Sequence, residues 1–215
     1  MDGKMQKAQL IDITRPIVAG MAVYPGNPEV SVAVVTTIPR NSSNTSVIGM
    51  GTHTGTHVDS QLHIKNGRPG VDKIPLSKCF GRCIVIDVTT IPFGRGIGGE
   101  DIRTSSIRKG DIVLLKTRNS GLRLDQFRKD FIFLANSGAE FLAEKKIKAV
   151  GVDYLSVQQF HSAKPAAHDI LIPKGIVVFE GLDLSKAKPG QYTFVGFPMK
   201  IRNGDGAPVR AVLIS

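Results

Sequence analysis

The chain has 215 residues, of which 41% are hydrophobic and 21% charged, a balance typical of a globular protein. We predict a single domain over residues 1–215. The 28 Lys and Arg against 18 Asp and Glu give a net charge of +10. These basic residues occur singly or in short runs, with no long stretch interleaved with aromatic residues, which argues against nucleic-acid binding as the main function.

The cysteines, the first ten residues and the lengths of the hydrophobic segments bear on where in the cell the protein is located. Cys79 and Cys83 lack the further Cys or His that a zinc knuckle needs nearby, so we predict that both face an apolar interior. The first ten residues include Lys4 and Lys7 but no apolar core of secretory length. No window approaches the length that spans a bilayer. These features predict a cytoplasmic protein without a membrane partner.

The first half of the chain predicts short strands separated by turns. Residues 10–14, 29–35 and 46–52 have strand-like patterns, and the last of these leads into a histidine-rich segment. Between the first two strands, the segment Tyr24-Pro-Gly-Asn-Pro28 is expected to be irregular. Proline fixes φ there, and glycine permits unusual φ values.

The second half alternates apolar runs with one clear helical segment. Residues 138–146 are rich in helix formers and lead into an apolar run at 149–152, an order typical of α/β folds. Further strands are predicted at residues 83–88, 112–117, 175–180 and 207–214. Because predicted strands outnumber helices, we expect an α/β domain with a largely mixed β component.

Three of the five histidines fall within eleven residues. His53, His57 and His63 surround Asp59 in the segment HTGTHVDSQLH. Two imidazoles and a carboxylate are a common set of ligands for a divalent ion that keeps positions open for water or substrate. In extended chain all four side chains share one face, although a turn at Gly55 would break that register. Coincidence and a purely structural metal are less favoured, since structural zinc sites prefer cysteine.

The other two histidines are His161 and His168. Glu180 follows His168 by twelve residues, at the end of the predicted strand 175–180. Taken alone, such a glutamate is expected to be solvated, because Glu is rarely buried without a partner.

The segment 53–63 resembles the signature of the cyclase-like metal-dependent hydrolases, a family that includes bacterial kynurenine formamidases and isatin hydrolases. The resemblance covers nearly the whole chain, with supporting patterns at 10–16, 20–28, 110–117, 149–156, near Pro198 and at 205–211. It implies a swivelling β/β/α domain with a mixed β-sheet core. It also implies assembly as a homodimer or homotetramer with active sites near the subunit contacts.

The resemblance also implies roles for individual residues, and in particular a buried Glu180 in place of a solvated one. His63 resembles the catalytic acid/base. Tyr24 and Gln61 are the predicted substrate contacts; Gln61, which departs from the family pattern, could touch the metal or the substrate. Three residues depart from the family pattern: Ser60-Gln61 stands where Ala-Pro is common, and Asn27 stands where Asp is frequent. The residues that resemble metal ligands are His53, His57, Asp59, His168 and Glu180.

These features predict a metal-dependent hydrolase. Zinc or manganese would lower the pKa of a water to about 7 for attack on an amide or lactam carbonyl. His63 would pass the proton to the leaving nitrogen. The leading hypothesis is an arylformamidase that converts N-formylkynurenine to kynurenine and formate in tryptophan catabolism, although the low aromatic content gives an aromatic substrate little support. The alternatives are an isatin hydrolase or other cyclic-amide hydrolase, and, from other classes, a non-catalytic small-ligand or nucleic-acid binding protein.

Overall fold

The computed structural model describes residues 8–103 and 105–215, so the expectation for the first ten residues falls mostly outside the described part. None of the helices within these ranges is long and apolar enough to cross a membrane. The helices are α1 (Gly99–Ile102), α2 (Asn136–Glu144) and α3 (Ala167–Leu171). The strands of the described chain are β1 (Leu10–Asp12), β2 (Ser31–Thr36), β3 (Thr45–Gly49), β4 (His57–Asp59), β5 (Phe80–Asp87), β6 (Gly96–Ile97), β7 (Ile112–Lys116), β8 (Phe133–Leu134), β9 (Ala149–Val152), β10 (Val177–Glu180), β11 (Gly190–Val195), β12 (Gly206–Pro208) and β13 (Val212–Ile214).

Nine of these strands form one mixed sheet in the order β1-β13-β11-β5-β7-β9-β10-β4-β12. The central strands β5, β7, β9 and β10 are parallel. Parallel strands are covered on both faces, which explains the continuous apolar runs of β7 and β9. The outer strands pair antiparallel on both sides of this centre. The predicted α/β fold with a mixed sheet is therefore confirmed.

The sheet separates two hydrophobic clusters. One cluster lies under the helices and includes Leu142 of α2 and Leu171 of α3. The other contains residues from distant strands, among them Phe179 of β10 and Phe194 of β11. These two strands are four positions apart, which would separate them by roughly 19 Å in a flat sheet. Their ring centroids are 5.0 Å apart, so the sheet curls around this second cluster.

The strands β2 and β3 form a separate hairpin outside the main sheet. Nearly all of its residues are exposed, including the apolar side chains of Val34, Val35, Val47 and Ile48. A two-stranded hairpin alone is only marginally stable in water and usually packs against further strands or a helix. The exposed side chains of this hairpin show that no such packing covers it within the described residues.

Most of the predicted elements are present, with two corrections. The segment 207–214 forms two strands, β12 and β13, because the chain turns away between them to pair with different neighbours. The predicted strand 46–52 ends at Gly49, and the histidine segment begins in a turn. Strand β11 was not predicted, since its apolar and polar residues do not form a clear run.

Candidate metal centre

The pairing of β4 with β10 places three polar groups on one face of the sheet. In this antiparallel ladder His57 lies opposite Glu180, and Asp59 lies opposite Val178. Because side chains alternate along a strand, His57 and Asp59 point to the same side, and directly paired side chains meet. His57, Asp59 and Glu180 are all almost completely buried. The prediction of a solvated Glu180 from its position alone is thus wrong.

Two glycines let the turn before β4 cross the end of β10 closely. Gly55 has φ of +60°, and Gly181 has φ of +65°. A Cβ on Gly181 would lie 1.9 Å from the Gly55 carbonyl oxygen, so no side chain fits there. The Thr56 hydroxyl donates to the Gly181 carbonyl at 2.6 Å and accepts from the Arg15 amide at 2.9 Å. This crossing holds the histidine segment against β10.

His53 reaches the same place from the turn, not from a strand. Its Nδ1 lies 2.9 Å from Oδ1 of Asp59, while its side chain is 13% exposed. The expectation that all four groups of the segment share one face of an extended chain is correct for His57 and Asp59 only. Gly55 breaks the register, and the fold brings His53 back beside them.

His168 comes from α3, which packs beside β10. Its Nε2 lies 3.1 Å from Oδ2 of Asp59 and 3.0 Å from Oε1 of Glu180. The amide of Val157 also donates to this glutamate oxygen at 2.6 Å. The structure therefore brings together the five predicted ligands, which are His53, His57, Asp59, His168 and Glu180.

Two buried polar atoms of this cluster have no well-directed hydrogen bond. They are Nε2 of His57 and Oδ1 of Asp59, which lie 3.6 Å apart. An unpaired polar atom in the interior is costly, because it has lost its water without a replacement. Both atoms face the same space as Nδ1 of His53. Imidazole nitrogens and a carboxylate oxygen arranged in this way fit a divalent ion.

The two carboxylates strongly perturb their histidine neighbours. Burial alone would lower the pKa of His53, but contact with Asp59 and the negative charges of Asp59, Glu180 and Asp205 raise it to about 9. Burial would likewise lower the pKa of His168, and its hydrogen bonds to Asp59 and Glu180 raise it to about 10. Without a metal, these imidazoles hold protons at pH 7.

The carboxylates respond in the opposite direction. Burial favours the neutral form of Asp59, yet the hydrogen bond from His168 and the close contact with His53 hold its pKa well below the usual value. Burial and the charge of Asp59 work against ionisation of Glu180, but His168 and His57 keep its pKa below the usual value. Both groups are thus ionised at neutral pH, which is the form that binds a cation.

His63 occupies a different position from the other three histidines of the cluster. It ends a short 3-10 turn (Gln61–His63) that the Ser60 side chain caps by accepting from the Leu62 amide at 3.2 Å. Its ring lies 4.1 Å from the His53 ring and 5.4 Å from the His168 ring, measured between centroids. Surrounding protein atoms, together with the charges of His53 and His168, lower the pKa of His63. It is exposed and makes no side-chain hydrogen bond within the described residues.

Tyr24 belongs to a cluster of aromatic side chains. Its ring lies 5.4 Å from Phe127 and 5.7 Å from Phe160, and the cluster continues to Phe131 and Tyr154. Burial raises the pKa of Tyr24, and the charge of Glu180 contributes to the rise. The low aromatic content of the sequence therefore concealed an aromatic wall, because the fold gathers distant residues into one cluster.

Gln61 lines a cavity of about 250 Å³ together with Ser60, Lys73, Lys78 and Ile176. It is half-buried, and no hydrogen bond of its side chain links it to the histidine cluster among the described contacts. The expectation that Gln61 touches substrate remains a prediction.

Two polar residues near the cluster were not predicted. Oδ2 of Asp205 lies 3.2 Å from Nε2 of His53, and Oε1 of Gln158 lies 2.9 Å from Nδ1 of His168. Asp205 stands in the supporting pattern 205–211, which could have drawn attention to it. Gln158 has no such signal, since only the fold brings it to α3.

Comparisons with known proteins agree with this architecture. The family model named Cyclase, with the description "Putative cyclase", matches residues 11–159. The kynurenine formamidase of Salinibacter ruber is 36% identical over 208 residues, which cover 95% of this chain and 96% of that protein. A solved structure described as a potential metal-dependent hydrolase with cyclase activity has a TM-score of 0.84 and 37% identity, covering 96% of this chain and 98% of that one.

A more distant structure shares the fold. Isatin hydrolase A from Labrenzia aggregata has a TM-score of 0.83 at 21% identity, covering 96% of this chain and 93% of that one. Together with the family match over more than half of the chain, these similarities lead to one conclusion: this protein belongs to the cyclase family.

Proposed function

We propose that this protein is a metal-dependent hydrolase of a carbon–nitrogen bond, and that its substrate is an aryl formamide such as N-formylkynurenine. The observation that carries the proposal is the convergence of three donor atoms, Nδ1 of His53, Nε2 of His57 and Oδ1 of Asp59, of which the last two are buried without a well-directed hydrogen bond. The relative from Salinibacter ruber is a kynurenine formamidase, which favours the same chemistry here.

Two adjacent metal positions fit the donors. His53 Nδ1, His57 Nε2 and Asp59 Oδ1 would hold one ion. Their separations of 2.9 and 3.6 Å are close to the roughly 3.3 Å between ligands in a tetrahedral zinc site. His168 Nε2, Glu180 Oε1 and the second Asp59 oxygen would hold the other. Zinc and manganese both suit this donor set.

A bound divalent ion supplies a water of lowered pKa and polarises the scissile carbonyl. The protein's part is to place a proton carrier beside that reaction. We assign this role to His63, whose ring lies against His53 and His168 but which has no fixed acceptor of its own among the described residues. Its lowered pKa leaves it neutral at pH 7, so it can accept a proton and then donate it to the leaving nitrogen.

The aromatic cluster favours an aryl substrate. Tyr24, Phe127 and Phe160 present rings whose centroids are 5.4 to 5.7 Å apart. Aromatic side chains pack with an aryl ring in offset or edge-to-face arrangements, which contribute about 0.5–1.5 kcal/mol beyond burial of area. We assign substrate contact to Tyr24 on this basis.

The hairpin of β2 and β3 supports assembly into a homo-oligomer. Val34 and Val35 are 66% and 63% exposed, and Val47 and Ile48 are each 56% exposed. Several exposed apolar side chains on one hairpin favour a protein contact there. We propose that a second copy of the chain covers the hairpin.

The test combines metal analysis with hydrolysis. Protein purified without added metal is examined by elemental analysis and then assayed on N-formylkynurenine and on isatin. Bound zinc or manganese with turnover of N-formylkynurenine is the expected result. Turnover of isatin but not of N-formylkynurenine would indicate a lactam hydrolase instead of an arylformamidase. A protein that binds neither metal and gains no activity from either one would overturn it.

A further inference from the structure

His53, His57 and His168 each direct one ring nitrogen toward the buried carboxylates Asp59 and Glu180. The other ring nitrogen of each histidine lies within hydrogen-bond distance of an oxygen that is not one of the predicted metal ligands. Nδ1 of His57 lies 3.0 Å from the Gly55 carbonyl oxygen, and Nδ1 of His168 lies 2.9 Å from Oε1 of Gln158. Nε2 of His53 lies 3.2 Å from Oδ2 of Asp205. An outer acceptor of this kind selects one tautomer and fixes the ring plane of a metal-binding histidine.

Among these three acceptors Asp205 alone carries a charge, and its own orientation is fixed. The Thr52 hydroxyl donates to Oδ1 at 2.9 Å, which leaves Oδ2 to face His53. The Asp205 side chain is 49% exposed, whereas that of His53 is 13% exposed. The carboxylate thus stands between solvent and the buried cluster.

The loop that carries Asp205 is tied to the histidine segment itself. Both the amide and the hydroxyl of Ser60 donate to the Asp205 carbonyl oxygen, each at 2.9 Å. Gly206 then leaves room for the imidazole: a Cβ at this position would lie 2.7 Å from Cε1 of His53. The Ser60 hydroxyl is therefore an anchor for this loop.

We propose that Asp205 is a positioning residue that accepts the Nε2 proton of His53 and so directs the Nδ1 lone pair toward the metal position. This inference rests on the proposed function, because it assumes that His53 binds a metal ion. Asp205 itself touches neither substrate nor metal in this arrangement.

A rival arrangement uses the same atoms. His53, His63 and Asp205 also offer ligand atoms within 4.8 Å of one another, so Asp205 could bind an ion directly. The two arrangements differ in what the loss of Asp205 does. A positioning residue changes the affinity of the ion on His53, whereas a ligand of a separate ion changes the number of ions bound.

The experiment measures zinc affinity and stoichiometry by competition with a chromophoric chelator, starting from metal-free protein. Asp205→Ala is expected to weaken zinc binding about 10- to 100-fold at unchanged stoichiometry, the usual effect of losing an outer partner. Asp205→Asn keeps an acceptor oxygen and should fall between this variant and the unmodified protein. Thr52→Val, which frees the carboxylate, should weaken binding by less than Asp205→Ala.

The matched control is Asp125→Asn, at an exposed aspartate that pairs with Arg123 on the surface; it should bind zinc as the unmodified protein does. Thermal unfolding of the metal-free variants checks that they fold. Unchanged affinity in Asp205→Ala, or loss of one whole ion with the remaining affinity intact, would overturn the inference. Failure of the unmodified protein to bind zinc would instead count against the proposed function.

Discussion

Metal binding to this protein should release protons, and the number follows from the site. In the metal-free protein at pH 7, His53 with a pKa of about 9 and His168 with a pKa of about 10 both carry an extra proton. The ion held by Nδ1 of His53 must displace one of these protons, and the ion held by Nε2 of His168 must displace the other. Raising the pH therefore favours the metal, and lowering it favours the protons.

The expected magnitude is large. Each displaced proton changes the binding free energy of its ion by about 1.36 kcal/mol per pH unit, or 10-fold in affinity, so the two ions together gain about 2.7 kcal/mol between pH 7 and pH 8. The dependence should fall toward one proton above pH 9, where His53 is already neutral, and vanish above pH 10.

The assay is isothermal titration with zinc in several buffers of different ionisation enthalpy, which counts released protons directly. His168→Gln removes one of the two protonated groups and should reduce the release by about one proton. A release close to zero at pH 7 in the unmodified protein would refute the reasoning, because it would mean that His53 and His168 are neutral before the metal arrives.

Three further outcomes are expected. His63→Ala should keep its metal but lose turnover by about 10²–10⁴-fold, the usual contribution of general acid–base catalysis, as measured by elemental analysis and steady-state kinetics; full activity would remove His63 from the mechanism. Asp substitutions at Val34 and Val47 together should lower the mass measured by analytical ultracentrifugation, because they place charges on the proposed subunit contact. An unchanged mass would show that the hairpin does not form that contact. Cys79 and Cys83 should resist thiol reagents at pH 8 until the protein is unfolded, because both are buried and burial raises the pKa of each thiol, that of Cys79 to about 11.

The central strands could be predicted because their environment is uniform. Strands β7 and β9 are covered on both faces, so each appears in the sequence as an unbroken apolar run. Strand β11 is covered unevenly, with Phe194 buried and Gln191 exposed, and it gave no comparable signal. A strand can thus be predicted from its own residues when its surroundings are the same along its length.

The candidate site also contains some residues that could be predicted from the sequence and others that could not. His53, His57, Asp59 and His63 lie in one short segment, so their types and spacing were visible without the fold. Asp205 reaches His53 only because β12 pairs with β4. The aromatic wall around Phe127 also depends on chain segments far apart in sequence. Contacts of this long-range kind cannot be derived from spacing.

The pairing of β4 between β10 and β12 also bears on the order in which the protein matures. His168 lies 109 residues beyond Asp59, and Asp205 lies 152 residues beyond His53. A nascent chain therefore exposes its histidine segment long before the remaining groups have been synthesised. Contacts this distant in sequence form late, since closing such long loops costs entropy first. We therefore expect the metal to bind only after these long-range contacts have formed.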